Sequence, residues 1–174
     1  YRARLDGTGR PVRLTPAGQA GVHAYNMSPN AAYALHNWSS FGQPSTTELV
    51  ALPSHRSLRV LVANTQLKER VAALRTGPAE FFSVDIGGGV SLNGWIMKPP
   101  GFDPSRKYPV LFYVYGGPGS QTVMDSWGGS TWLWHAMLTQ QGYLVASVDN
   151  RGTGARGRDF RKVIYGQMGG SETQ

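Results

Sequence analysis

The sequence predicts a mixed chain of two unlike parts. The first is an all-β run of short strands, of the kind found in one blade of a propeller or part of a sandwich, and the second is a parallel α/β sheet. Three observations predict it. Between Tyr1 and Thr65, short strand-like runs recur at intervals of roughly 10 residues and are broken by turn signals such as Asp6-Gly7 and Ser28-Pro29-Asn30. The period then changes to a helical one in LKERVAAL. Further on, two nearly continuous apolar runs flank a helical stretch and end on glycine-rich turns, as in a sheet covered by helices on both faces.

Taken in order, Tyr1 to Leu5 and Pro11 to Thr15 alternate on either side of an Asp-Gly turn and predict a hairpin. His23 to Met27, Ala32 to Trp38, Thr47 to Leu52 and Ser57 to Val62 follow as strands. Leu67, Val71 and Leu74 recur at helical spacing, with Thr65 available as a cap and Gly77-Pro78 as a stop, so one short amphipathic helix is expected. Glu80 to Ile86 and Ser91 to Met97 read as two strands joined by Gly87-Gly88-Gly89. Val110 to Tyr115 reads as a central strand, Asp125 to Gln141 as a region holding a helix that Gly142 ends, and Tyr143 to Val148 as a second buried strand. The expected domains are residues 1–65, 66–79 as a linker helix, and 80–174.

Composition narrows the function classes. With 174 residues, 40% of them hydrophobic, the chain can bury a core. No run reaches the roughly 18 apolar residues of a membrane span. The absence of cysteine excludes disulfides and thiolate metal sites but leaves the compartment open. The formal charge is +7, and the densest stretch, Arg151 to Lys162, carries five basic residues against one aspartate. A nucleic-acid surface would interleave such charges with exposed aromatics or set them along one helix face, whereas the remaining charges here are scattered. The start at Tyr1, without an initiator methionine, suggests a piece of a larger protein.

Three chemistries compete for the glycine-rich loops. Gly152-Thr-Gly154-Ala-Arg-Gly157 fits the dinucleotide fingerprint G-x-G-x-x-G. Asn150 and Arg151 intervene after the strand, however, and no second strand ending in an acid follows about 20 residues on. Neither loop ends in the Gly-Lys-Ser/Thr of a phosphate-binding loop. Nucleophilic hydrolysis needs a serine on a G-x-S-x-G elbow, and neither Ser120 nor Ser171 has that flanking. His23, His36, His55 and His135 therefore have no elbow serine to serve and read as ordinary packing or surface residues. An active site also needs a donor for the developing oxyanion, worth about 3 kcal/mol. In an α/β-hydrolase, the loop after an early central strand supplies it at the carboxyl edge of the sheet. Tyr115, at the end of PVLFYVY and followed by Gly116-Gly117-Pro118-Gly119, stands in that place with a phenol able to donate.

These residues carry a resemblance. PVLFYVYGGPGSQ, the preceding KPPGFDPSRKYP and the later VDNRGTGARGRDF are similar to the S9 serine peptidases of the prolyl oligopeptidase family, most closely its dipeptidyl peptidase IV branch. LDGTGRPVRLT and HAYNMSPNAAYALHNWSSFGQPSTTEL resemble the last propeller blades of that branch, and LKERVAAL its link to the catalytic domain. The resemblance implies the C-terminal remnant of a β-propeller followed by the N-terminal part of an α/β-hydrolase domain. It assigns oxyanion stabilisation to Tyr115, with Gly116, Gly117, Arg151, Gly152 and Gly154 as loop support near the site. The serine, acid and histidine of the triad would all lie beyond this chain, so the fragment is expected to be inactive, with GQMGGSETQ leading toward the helix before the serine strand. The parent would cleave short peptides after proline or alanine through an acyl-enzyme, without metal or organic cofactor, and could be homodimeric. The alternatives are a non-catalytic β-rich interaction module, or an esterase or acylaminoacyl hydrolase on the same scaffold. Unclosed sheets predict exposed apolar edges and association of the isolated piece.

Overall fold

A computed structural model describes residues 1–173, and the last residue, Gln174, lies outside the described residues. The chain divides into two compact units. One comprises Tyr1–Leu74 with Asp125–Gly129, the other Arg75–Met124 with Ser130 onward.

The first unit is a four-stranded antiparallel meander of β1 (Val22–Met27), β2 (Tyr33–Ser40), β3 (Gln43–Ala51) and β4 (Arg56–Val62), in spatial order β1-β2-β3-β4. Its period-two pattern is plainest in β2, where Ala34 and His36 are buried between exposed neighbours. The registers Tyr25↔His36 and His36↔Glu48 put these three side chains on one face. That face carries a polar chain in place of an all-apolar core. His23 Nε2 faces the Gln19 carbonyl at 3.0 Å, His23 Nδ1 faces His36 Nε2 at 2.8 Å, and His36 Nδ1 faces Glu48 Oε1 at 3.0 Å. Burial pushes the His36 imidazole below its ordinary value, and the bond to Glu48 only partly offsets it.

The anticipated first hairpin is reduced to one bridge, Arg2↔Val12, joined by two backbone hydrogen bonds of 2.8 Å. Asp6 explains the tight turn: its carboxylate accepts from the Thr8 backbone and hydroxyl and from the Arg4 guanidinium. Helix α1 (Thr65–Ala72) begins where the periodicity placed it, but Asn64, in the left-handed region, is the residue before its first turn, not Thr65. The Asn64 side chain turns away to the Ser45 carbonyl at 2.8 Å, and Lys68 reaches the Thr46 hydroxyl. The helix is thereby held on β3.

The second unit has a four-stranded sheet of β5 (Ala79–Asp85), β6 (Ser91–Met97), β7 (Val110–Phe112) and β8 (Leu144–Val148), in order β5-β6-β8-β7. β5 and β6 form the hairpin closed by Gly87 to Gly89, and β6 pairs antiparallel with β8. β7 and β8 are parallel. The sheet is thus mixed, with the parallel strand–helix–strand unit at one side and helix α2 (Gly129–Gln140) as its crossover. Trp95, Trp132, Ala136, Val145 and Ala146 are buried in this unit. The opposite flank of β7 is open: Val110, Phe112 and Val114 are exposed, against the expectation of helices on both faces. β7 is shorter than anticipated because only Tyr113, donating to the Ala146 carbonyl at 2.8 Å, continues the ladder before the chain turns away. A short helix α3 (Arg158–Lys162) and a 3₁₀ turn at Ser171–Thr173 follow.

Candidate functional site at the carboxyl edge of the parallel strands

The chain leaves β7 and β8 at the same edge of the sheet, where ligands bind in open α/β folds. The loop after β7 contains Tyr115 to Gly119, and the loop after β8 contains Asn150 to Gly157. Tyr115 is 68% exposed, and its ring lies over the backbone of Gly117. A Cβ on Gly117 would sit 2.5 Å from the ring's Cε1. Gly117 therefore gives the phenol the space it occupies. Gly116 has φ of +75°, in the region that favours glycine, and turns the chain immediately after the tyrosine.

The two loops hold each other. Asn150 Nδ2 donates to the Gly116 carbonyl at 3.3 Å and to the Arg151 carbonyl at 2.8 Å. Gly119 N–H donates to the Gly152 carbonyl at 3.3 Å, and Gly154 N–H to the Ser120 carbonyl at 3.2 Å. Gly152 combines φ of +95° with a wall: a Cβ there would lie 2.3 Å from Ile164 Cδ1. Gly154 is less constrained, with its nearest neighbour at 3.5 Å. Arg151, just before them, is half-buried. A cleft lined by Pro118, Gly119, Arg161, Ile164 and Tyr165 opens beside the first loop.

A buried anchor lies behind these contacts. The Asp149 carboxylate is 6% exposed and accepts from Thr122 N–H at 2.8 Å, the Thr122 hydroxyl at 2.9 Å and Val123 N–H at 3.1 Å. The Trp95 indole donates to the Thr122 carbonyl at 2.9 Å. A buried carboxylate with three donors is satisfied, and it fixes the far end of the loop that begins at Tyr115. Sequence reasoning met Asp149 and Asn150 only as part of the motif after the strand, without a role for either, and did not reach Thr122. An acid closing the otherwise apolar run LVASV was the signal available.

The structure brings the six sequence-predicted residues, Tyr115, Gly116, Gly117, Arg151, Gly152 and Gly154, to two mutually bonded loops. His135 is buried against Trp95, Tyr113 and Trp134, as a packing residue. Burial alone pushes it below the ordinary imidazole range. His23, His36 and His55 instead form a group on the first unit's sheet.

Nearly the whole chain is similar to known proteins. The profile of the prolyl oligopeptidase family matches residues 131–174. The chain is 39% identical in sequence to Porphyromonas gingivalis dipeptidyl peptidase 4 and superposes on its crystal structure with a TM-score of 0.85, covering 96% of this chain and 23% of that one. A protein of Emericella nidulans named "Probable dipeptidyl-aminopeptidase B" is 38% identical over 97% of this chain and 18% of its own length. A second from that organism, "Probable dipeptidyl peptidase 4", is 34% identical over 95% of this chain and 22% of its own. The chain spans about a fifth of the relatives it matches. Its two sheets are the end of a β-propeller and the start of an α/β-hydrolase domain. Over nearly its whole length the chain is thus similar to part of the dipeptidyl peptidase IV-like proteins, and its residues 131–174 match the prolyl oligopeptidase family, S9.

Proposed function

We propose that this chain supplies the oxyanion side of a serine peptidase that removes or cleaves after Pro or Ala in short peptides by acyl-enzyme formation. In this reading residues 1–65 end the propeller, 66–79 link, and 80–174 begin the catalytic domain. The observation that carries the reading is the exposed Tyr115 ring at the carboxyl edge of β7, seated over Gly117 and followed by a loop bonded to Asn150 and Gly152. Attack on a peptide carbonyl moves negative charge onto its oxygen, and a fixed O–H donor stabilises that charge more than it stabilises the neutral carbonyl. The nucleophile, its base and its acid are not among these residues, since no serine here has elbow flanking. The 174 residues alone are accordingly expected to hydrolyse nothing. Support for a peptide substrate comes from the relatives' names, which are those of dipeptidyl peptidases.

The test is a substrate panel on the intact protein. Ala-Pro and Gly-Pro chromogenic dipeptides are expected to be turned over with far higher kcat/KM than simple esters or N-acylated peptides. A preference for esters would replace the peptidase reading with an esterase.

A further inference from the structure

The first unit's sheet carries a side-chain cluster that the peptidase reading does not use. Among the described residues, His36, Glu48 and His55 each offer one donor atom within 4.8 Å of the other two. His36 is 1% exposed, and Glu48 is largely covered. Each of the three is held from behind. His23 Nδ1 meets His36 Nε2 at 2.8 Å, the Ser57 hydroxyl donates to Glu48 Oε2, and the Tyr25 hydroxyl meets His55 Nε2 at 2.7 Å. One polar atom of each residue is thus held by a neighbour, and His36 Nδ1 and Glu48 Oε1 face each other at 3.0 Å. Two imidazoles and a carboxylate, each oriented by an outer hydrogen bond, are the ligand set and outer shell of a zinc centre.

The hydrogens of the chain leave a place for such an ion. Its three contacts, Gln19 carbonyl to His23, His23 to His36 and His36 to the Glu48 carboxylate, each need one hydrogen. The two ends are acceptors, and two neutral imidazoles bring only two hydrogens. One hydrogen is missing. A proton between His36 Nδ1 and Glu48 Oε1 fills the place, and so does a metal ion bonded to both, since in either case His36 Nε2–H donates to His23 and His23 Nε2–H to the carbonyl.

We propose that His36, Glu48 and His55 bind a divalent transition-metal ion of the zinc class, with His23, Ser57 and Tyr25 orienting them. Ligands about 2.0 Å from a tetrahedral ion stand roughly 3.3 Å apart. The His36–Glu48 pair is already near that separation at 3.0 Å. His55 lies in the turn before β4 with φ of +55°, so one turn residue completes the site and pins that turn to β2 and β3. The ion's role is structural, since bonds to three segments are gained only when they are folded.

The experiment uses the intact protein, stripped with a chelator and titrated with zinc alone at pH 7.5 against a chromophoric competitor. Because His36 is buried and its replacement could prevent folding, the variants are Glu48→Gln and His55→Ala, each checked for a native circular dichroism spectrum. Wild type is expected to bind one equivalent more than either variant, and Ser57→Ala to keep that equivalent with affinity weakened about 10-fold. Equal zinc content in wild type, Glu48→Gln and His55→Ala overturns the proposal.

Discussion

At the scale of single residues, Gly117 and Tyr115 act as a pair. A methyl group at position 117 would lie 2.5 Å from Cε1 and 3.2 Å from Cδ1 of the tyrosine ring, so Gly117→Ala must turn the ring away. Displacing a catalytic group by about 1 Å can cost up to 100-fold in rate. Steady-state kinetics of Gly117→Ala in the intact protein are therefore expected to show kcat lowered on the order of 10- to 100-fold with KM little changed. A compensating rise in KM would instead point to substrate binding. The pair Gly152 and Gly154 separates conformation from packing. Gly152→Ala meets both a positive φ and the buried Ile164 side chain, and the backbone strain alone costs roughly 1–3 kcal/mol. Gly154→Ala meets only ordinary contact at 3.5 Å and is expected to stay within about 0.5 kcal/mol. Denaturant midpoints of the two variants measure the difference, which the fingerprint G-x-G-x-x-G by itself does not foresee.

At the scale of elements, what was legible in the sequence was periodic. The strands β1 to β6 and β8 fall within a few residues of their anticipated bounds because one-sided burial in β2 and two-sided burial in β8 leave period-two and continuous apolar patterns. Tyr115 and its glycines were legible for another reason, a turn that needs residues without Cβ next to one with a phenol. Other features depend on partners distant in sequence. The helix cap moved to Asn64 because its side chain is drawn to Ser45, 19 residues earlier. Asp149 anchors a loop 27 residues before it, and no local pattern encodes that. The histidine group was half visible: His23, Tyr25 and His36 alternate on strands that a hairpin aligns, but Glu48 and His55 join them only through the third strand and a turn. Reading each histidine separately hid the group.

At the scale of the whole molecule, each unit ends in open strand edges. Leu58, Val60, Leu61 and Val62 of β4 are exposed, as are Phe81 and Val84 of β5 and Val110 and Phe112 of β7. Unpaired edges rich in apolar side chains recruit other strands. The 174 residues expressed alone are expected to self-associate, with weight-average mass in sedimentation equilibrium rising with concentration. A stable monomer at all concentrations would mean that these edges are protected in a way the strand order does not explain. No helix among the described residues is long and apolar enough to cross a membrane.

The central claim is that the Tyr115 hydroxyl donates a hydrogen bond to the negative charge developing on a substrate carbonyl oxygen, and Tyr115→Phe tests it most directly, since it removes one oxygen atom and leaves the ring over Gly117. In the intact protein acting on an Ala-Pro chromogenic substrate, kcat is predicted to fall about 100- to 1000-fold with KM nearly unchanged, the loss of one oxyanion donor. A kcat within about twofold of wild type would contradict the claim and leave the phenol a packing group at the end of a strand.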